Sequence, residues 1–174
     1  LVRGLRPERT LGIDGTDAAL AAAAARGLPA AYANLREPLA LPFAPALVTA
    51  LDVLEHLDDD ARTLRHLADA AAPEALLVAT VPAFRFLWSR WDDVAGHRRR
   101  YDRPALRRVL VASGWQPLRI RYFFSFSLPP AFVQRRLLRR VDEFEFPRVP
   151  PALNRLLTLL GRLEQAAGNP APFG

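Results

Sequence analysis

Apolar positions along this chain recur in two rhythms. Short continuous apolar runs alternate with stretches where apolar residues return every three or four positions, which predicts strands alternating with helices. The first run, residues 11–13, stops at Asp14 and predicts a buried strand. Thr16 can cap a following helix built from the strong helix formers of residues 18–26, with Gly27 as a left-handed stop. Residues 30–35 predict a second strand, and Pro38, Pro42 and Pro45 predict a loop. The run 47–51 predicts a third strand ending at Asp52. Asp58 or Asp59 then opens a helix, its acids placed against the positive N-terminal end. Ala61, Leu64, Leu67, Ala68 and Ala71 keep the helical period, and Pro73 ends it. Residues 76–81 are apolar on both faces, as in the middle of a parallel sheet, and stop at Pro82.

A long polar and aromatic loop spans residues 84–101. Asp102 then caps a helix with Pro104 in its first turn and Gly114 at its close. Leu118, Ile120 and Tyr122 alternate with Arg119 and Arg121, which predicts a half-buried strand. Repeated strand–helix–strand units call for right-handed crossovers, hence an α/β fold with a mostly parallel sheet and helices on both faces. From Phe123 onward the pattern changes to two Leu- and Arg-rich helices, about residues 130–140 and 151–167. The expected organisation is a core over 1–122 and a helical cap over 123–174 packed on it. No internal repeat is present.

Composition narrows the class. The chain has 174 residues, 51% of them hydrophobic and 24% charged, which suits one globular domain. Folding at this length buries roughly 70% of the chain's surface. No apolar run reaches the length of a membrane span and no leader precedes the first strand, so a cytoplasmic protein is expected. Cysteine is absent, which excludes disulfides, thiolate metal sites and a cysteine nucleophile. All 24 basic residues are Arg, which a codon bias explains, and the net charge of +6 favours anionic partners. Methionine is absent and the last residues are turn-rich, so both ends read as cuts.

In open parallel sheets, ligands sit beyond the carboxyl ends of the strands. Asp14 can accept hydrogen bonds from ribose hydroxyls there, or simply cap the turn. Asp52 and His56 follow the third strand. His56 can serve as a base or touch a substrate hydroxyl, or it can be a structural histidine at a helix start. Glu55 either orients it or faces water. His97, Arg98, Arg99, Arg100 and Tyr101, with Trp88 and Trp91 nearby, form either an anion clamp or a solvated basic run. The spacing of the three histidines points to no metal set, and there is no GxGxxG, GxxxxGK[ST] or GxSxG.

Leu51-Asp52-Val53-Leu54-Glu55-His56-Leu57, preceded by Leu41-Pro42-Phe43, resembles the class I methyltransferase superfamily, closest to the small bacterial type-11 and type-12 enzymes. The likeness runs on through Val81-Pro82-Ala83, Leu87-Trp88-Ser89, Asp92, Gly96-His97-Arg98-Arg99-Arg100-Tyr101 and Ala112-Ser113-Gly114-Trp115. It implies a Rossmann-like sheet and S-adenosyl-L-methionine as methyl donor. It implies Asp14, with Gly15, at the cofactor ribose, Asn34 and Leu35 near the adenine, and Leu51 and Asp52 against the methionine part. His56 and His97 fall on the catalytic side. Trp88, Arg99, Arg100 and Tyr101 fall where a small-molecule acceptor enters, acidic or lipid-linked.

The sequence departs from the family pattern in places. The first strand and its Gly-rich loop, and the last antiparallel strand, are expected to be missing. Gly15 stands where a larger apolar residue packs on adenine, Asn34 replaces an Asp, and Pro73-Glu74-Ala75 stands where Pro-Gly-Gly is common. A sheet without its central strand would expose edges that favour association with another chain. The alternative is a non-catalytic binding module whose Arg-rich surfaces hold an anionic partner. Nucleic acid is not expected, since aromatic and basic residues interleave only around residues 122–126. The aromatic run there and the Arg-rich helix after it either cap the core or rest on an anionic membrane surface.

Overall fold

The computed structural model describes residues 9–133 and 150–166. β1 (Gly12–Asp14), α1 (Asp17–Ala24) and β2 (Ala30–Tyr32) form one strand–helix–strand unit. Its strands are parallel, with Gly12 opposite Ala30 and Asp14 opposite Tyr32. Thr16 caps α1 by accepting from the Ala19 N–H, as its hydroxyl and position require. β3 (Leu47–Leu51), α2 (Asp60–Ala70) and β4 (Leu76–Thr80) form a second such unit, parallel from Leu47–Leu76 to Leu51–Thr80. Asp59 is the cap of α2 and accepts from the Arg62 N–H. Among the described residues the two strand pairs are not hydrogen-bonded to each other. They are tied instead through loops: Thr63 Oγ1 donates to the Leu35 carbonyl at 3.0 Å, and Arg36 pairs with Asp58 at 2.8 Å.

The core sits on one face of β3–β4. Leu54, Leu64, Tyr101 and Leu110 are its buried centre, and Leu77, Ala79, Val81, Trp115 and Ile120 pack around them. Leu64 comes from α2 and Leu110 from α4 (Arg103–Ala112), so both helices lie over the same face. Trp115 locks the end of α4 by donating to the Leu64 carbonyl at 2.9 Å. The opposite face of β4, with Leu76 and Val78, is open among the described residues, although its composition predicts burial on both sides.

Several expectations are corrected. Residues 118–122 form no strand. The segment pairs with no strand among the described residues, and Leu118 is 84% exposed. Side chains hold it instead: Tyr122 stacks on Phe84 at 4.7 Å and its hydroxyl accepts from the Arg103 N–H at 3.2 Å. β2 stops at Tyr32, because Asn34 makes a turn, its side chain accepting from the Arg36 N–H at 3.1 Å. The loop 84–101 holds a 3-10 turn at Arg85–Leu87 and a short helix, α3 (Arg90–Val94), started by a Ser89–Asp92 capping box.

α5 (Leu128–Phe132) starts two residues before the predicted helix. The rest of that predicted helix, residues 134–140, lies outside the described residues. α6 (Pro151–Ala166) matches the expectation but packs on the Phe-rich segment. Glu164 accepts from the Ser125 N–H at 2.9 Å, and a Cβ at Gly161 would lie 3.0 Å from the Phe124 ring. No helix among the described residues is long and apolar enough to cross a membrane.

Candidate functional site

Parallel pairing brings the carboxyl ends of each strand pair to one edge. Asp14 ends β1, and its Oδ1 accepts from the Thr16 N–H at 2.9 Å and the Thr16 hydroxyl at 2.7 Å. That leaves Oδ2 as the carboxylate oxygen not used by the turn. Gly15 meets only an ordinary contact at the position of an added Cβ, 3.6 Å from the Ala33 carbonyl. Asn34 donates to Glu37 at 2.9 Å, so its amide is held by the turn, and Leu35 beside it is tied to α2. Asp52, after Leu51, adopts a left-handed backbone (φ 53°), which Asp tolerates better than most residues. Its N–H donates to the Thr80 carbonyl at 3.0 Å and its carboxylate accepts from the Thr80 hydroxyl at 3.1 Å. The turn that follows β3 is therefore fixed to the end of β4.

That turn sets the next residues. Leu54–His56 is a 3-10 turn in which Leu54 is wholly buried and anchors the segment. Glu55 points inward and is 1% exposed; its Oε2 has no hydrogen-bond partner among the described residues. Burial raises the Glu55 carboxyl above its ordinary range, against the pull of its own backbone N–H, and the nearby Asp52 charge adds to the rise. His56 is exposed.

The loop after β4 folds back against this turn, the Arg98 N–H donating to the Glu55 carbonyl at 2.6 Å. Gly96, at φ 74°, supplies the left-handed residue that ends α3 and delivers His97. The His97 ring meets His56 edge to face at 4.8 Å between centroids. His97 Nδ1 lies 2.9 Å from Asp92 Oδ1, and the same oxygen accepts from Arg100 Nε at 2.7 Å. Burial alone would raise the Asp92 carboxyl. The hydrogen bonds from Arg100, His97 and the Ser89 N–H outweigh that and hold it below its ordinary range. An ionised carboxylate only accepts, so Nδ1 carries the proton and Nε2 presents a lone pair in the neutral ring.

Next to this cluster lies a cleft of about 520 Å³ lined by Asp60, Arg85, Trp88, Arg98, Arg99, Arg100, Tyr101, Ala105 and Val109. It gathers all four residues expected on the acceptor side, and each has polar groups engaged within the protein. Arg100 is committed to Asp92 and to the Ala83 carbonyl. Arg99 holds the Leu57 and Asp58 carbonyls and pairs with Asp60 at 3.2 Å. Tyr101 donates to Asp60 at 2.6 Å, and burial together with that carboxylate pushes its hydroxyl far above the ordinary range. Trp88 donates to Asp93 at 3.0 Å. The cleft cations most open to a ligand are Arg85, exposed and without an ion-pair partner among the described residues, and Arg98, which pairs with Asp58 at 3.1 Å but is 57% exposed.

A family model described as a methyltransferase domain matches residues 7–120. The chain belongs to the methyltransferase-domain family. The matched span contains every residue assigned above to cofactor, catalysis or acceptor. With the parallel strand–helix–strand units, it makes the fold of this methyltransferase domain Rossmann-like and class I. Among solved structures, the chain is similar to the YcgJ protein from Bacillus subtilis, with 12% identity and a TM-score of 0.49. The likeness covers 86% of this chain and 65% of that one. No curated protein matches the chain.

Three features of the candidate site were not legible in the sequence. Arg85 has no motif around it. Glu55 faces inward, because a 3-10 turn rather than an α-helix sets its direction. Glu55, His56 and His97 also come together, with donor atoms all within 4.8 Å of one another, although the histidine spacing gave no such set.

Proposed function

We propose that this methyltransferase domain transfers a methyl group from S-adenosyl-L-methionine to an acidic small-molecule acceptor. The observation that carries the reading is the junction of strand edge and cleft. Asp92 joins His97, beside the Asp52 turn, to Arg100, which lines the Arg-rich cleft. The Asp14 Oδ2 that the turn leaves unused suits a pair of ribose hydroxyls, so the chain's residues fit the donor. In this reading Asp14 and Gly15 hold the ribose, Asn34 and Leu35 border the adenine, and Leu51 and Asp52 border the methionine part.

Bound S-adenosyl-L-methionine supplies an electrophilic methyl group on a sulfonium. The chain's own work is placement and exclusion of water, which suffices for an in-line transfer. His56 and His97 present ring nitrogens where the strand edge meets the cleft. Arg85 and Arg98 supply the charge that holds an acidic acceptor, with Trp88 as an apolar wall. Arg99, Arg100 and Tyr101 shape the cleft through Asp60 and Asp92.

The test is transfer of a labelled methyl group to a panel of small carboxylates and phosphate esters. Arg85→Ala should raise KM for the accepted acid about ten-fold, the loss of one charge-assisted contact, and leave the donor's affinity unchanged. Equal activity towards neutral and acidic acceptors would contradict the acidic assignment.

Peripheral membrane contact belongs to the same proposal. Leu153, Leu156, Leu159 and Leu163 share one exposed side of α6, which supports it. Co-sedimentation with anionic but not neutral vesicles is the expected result.

A further inference from the structure

We propose that Glu55, His56 and His97 form a binding site for a divalent first-row transition-metal ion. Their donor atoms lie within 4.8 Å of one another, although the residues come from two loops that follow different strands. Two ligands about 2.1 Å from one ion are at most about 4.2 Å apart. Three ligands cannot all stand opposite one another, and at tetrahedral angles they are about 3.4 Å apart, so the widest pair needs to close by up to about 1.4 Å, to which rotation of the exposed His56 ring contributes.

Two further observations point to a ligand. Glu55 is 1% exposed and its buried Oε2 has no partner among the described residues. A buried carboxylate oxygen without a partner is costly, and a cation at that oxygen satisfies it. The second is the Asp92–His97 contact of 2.9 Å. A metal-binding histidine commonly gives its other ring N–H to a carboxylate, which fixes the tautomer and raises the basicity of the ligating nitrogen. Asp92 is itself anchored by Arg100, so the orientation of His97 is set from the core outward.

The donor set narrows the ion. Two imidazoles and one carboxylate suit Zn²⁺, Co²⁺ or Mn²⁺ better than Ca²⁺ or Mg²⁺, which prefer all-oxygen sets. Burial is graded: Glu55 is buried, His97 partly buried and His56 exposed. The ion thus has a route in from solvent and keeps open positions on the solvent side. Resting on the methyl-transfer reading, those positions would take an oxygen of the acceptor and make a hydroxyl-bearing acid the favoured substrate. His56 and His97 are then ligands rather than proton acceptors.

The test is a Co²⁺ titration of the untagged, chelator-stripped full chain, followed by visible d–d absorption and calorimetry. Saturable binding of one ion per chain is expected. Glu55→Gln, His56→Ala and His97→Ala should each weaken it on the order of ten-fold or more, by analogy with lost ligands and their supports. His66→Ala, which removes the remaining histidine, should leave it unchanged. Circular dichroism checks the fold of each variant. Should the buried Glu55→Gln not fold, the exposed His56→Ala carries the test. A folded wild-type chain without d–d bands overturns the site, and so does unchanged affinity in His56→Ala and His97→Ala. S-adenosylhomocysteine titrated into the same samples separates the two readings. Its binding without Co²⁺ binding overturns the ion site alone. Co²⁺ binding without it overturns the methyl-transfer role alone.

Discussion

Asp92 Oδ1 lies 2.9 Å from His97 Nδ1, and this contact couples the partly buried His97, and through it the exposed His56, to the protein interior. Asp92 is 1% exposed and its other main partner, the Arg100 side chain, is nearly as buried. Removing one member of such a pair leaves a buried charge without compensation. Asp92→Asn should therefore cost about 3 kcal/mol, read by urea denaturation. The carboxyl is held below its ordinary value of 3.8, so the unfolded chain takes up its proton first. The contribution is complete above about pH 4 and lost as pH falls below it. Asp92→Asn should flatten that acid limb; an unchanged limb would assign acid unfolding to other carboxylates.

Tyr101 predicts the alkaline limb. Its hydroxyl is buried against Asp60 and its pKa is raised above the ordinary value of 10. The unfolded chain therefore loses this proton first as pH rises. Stability should hold below about pH 10 and fall above it. Tyr101→Phe should remove that fall and cost about 1 kcal/mol at neutral pH for the lost hydrogen bond. Denaturation midpoints across the alkaline range check both parts.

Glu74 sits at φ 61°, in the left-handed region that glycine enters without a Cβ penalty. The family pattern resembled here favours glycine in this turn, and the backbone gives the physical reason. Glu74→Gly relieves about 1 kcal/mol of strain, partly offset by the greater freedom of glycine in the unfolded chain. A small rise in midpoint is expected, and a fall would mean that the Glu74 side chain makes a stabilising contact.

Gly161 lets α6 approach Phe124 closely, since an added Cβ would stand 3.0 Å from the ring. Gly161→Leu should push the helix off the Phe-rich segment at a cost of about 1–3 kcal/mol. The Ser125–Glu164 hydrogen bond should open with it. Hydrogen exchange in α6 should rise while exchange in α2 and α4 stays unchanged. Equal exchange in all three helices would show no such docking.

Local signals made most elements legible. β3 coincides with an apolar run bounded by Pro45 and Asp52, and α4 with its cap Asp102 and Pro104. Asp14 and Asp52 were legible as strand-end acids for the same reason. What escaped the reading depends on tertiary contacts. Alternation at Leu118, Ile120 and Tyr122 fits a strand, but a strand needs a neighbour, and stacking on Phe84 takes its place. α3 is too short for its period to register. Arg99 and Arg100 read as an anion clamp because composition shows their charge, whereas Asp60 and Asp92, which consume that charge, lie far off in sequence or on another turn.

The most direct test of the account is a calorimetric titration of the folded full chain with S-adenosylhomocysteine, wild type beside Asp14→Ala. Micromolar binding by the wild type is expected, with a loss of about ten-fold or more in Asp14→Ala from removal of the carboxylate that holds the ribose. No binding by a folded wild-type chain, or equal binding by Asp14→Ala, would contradict it.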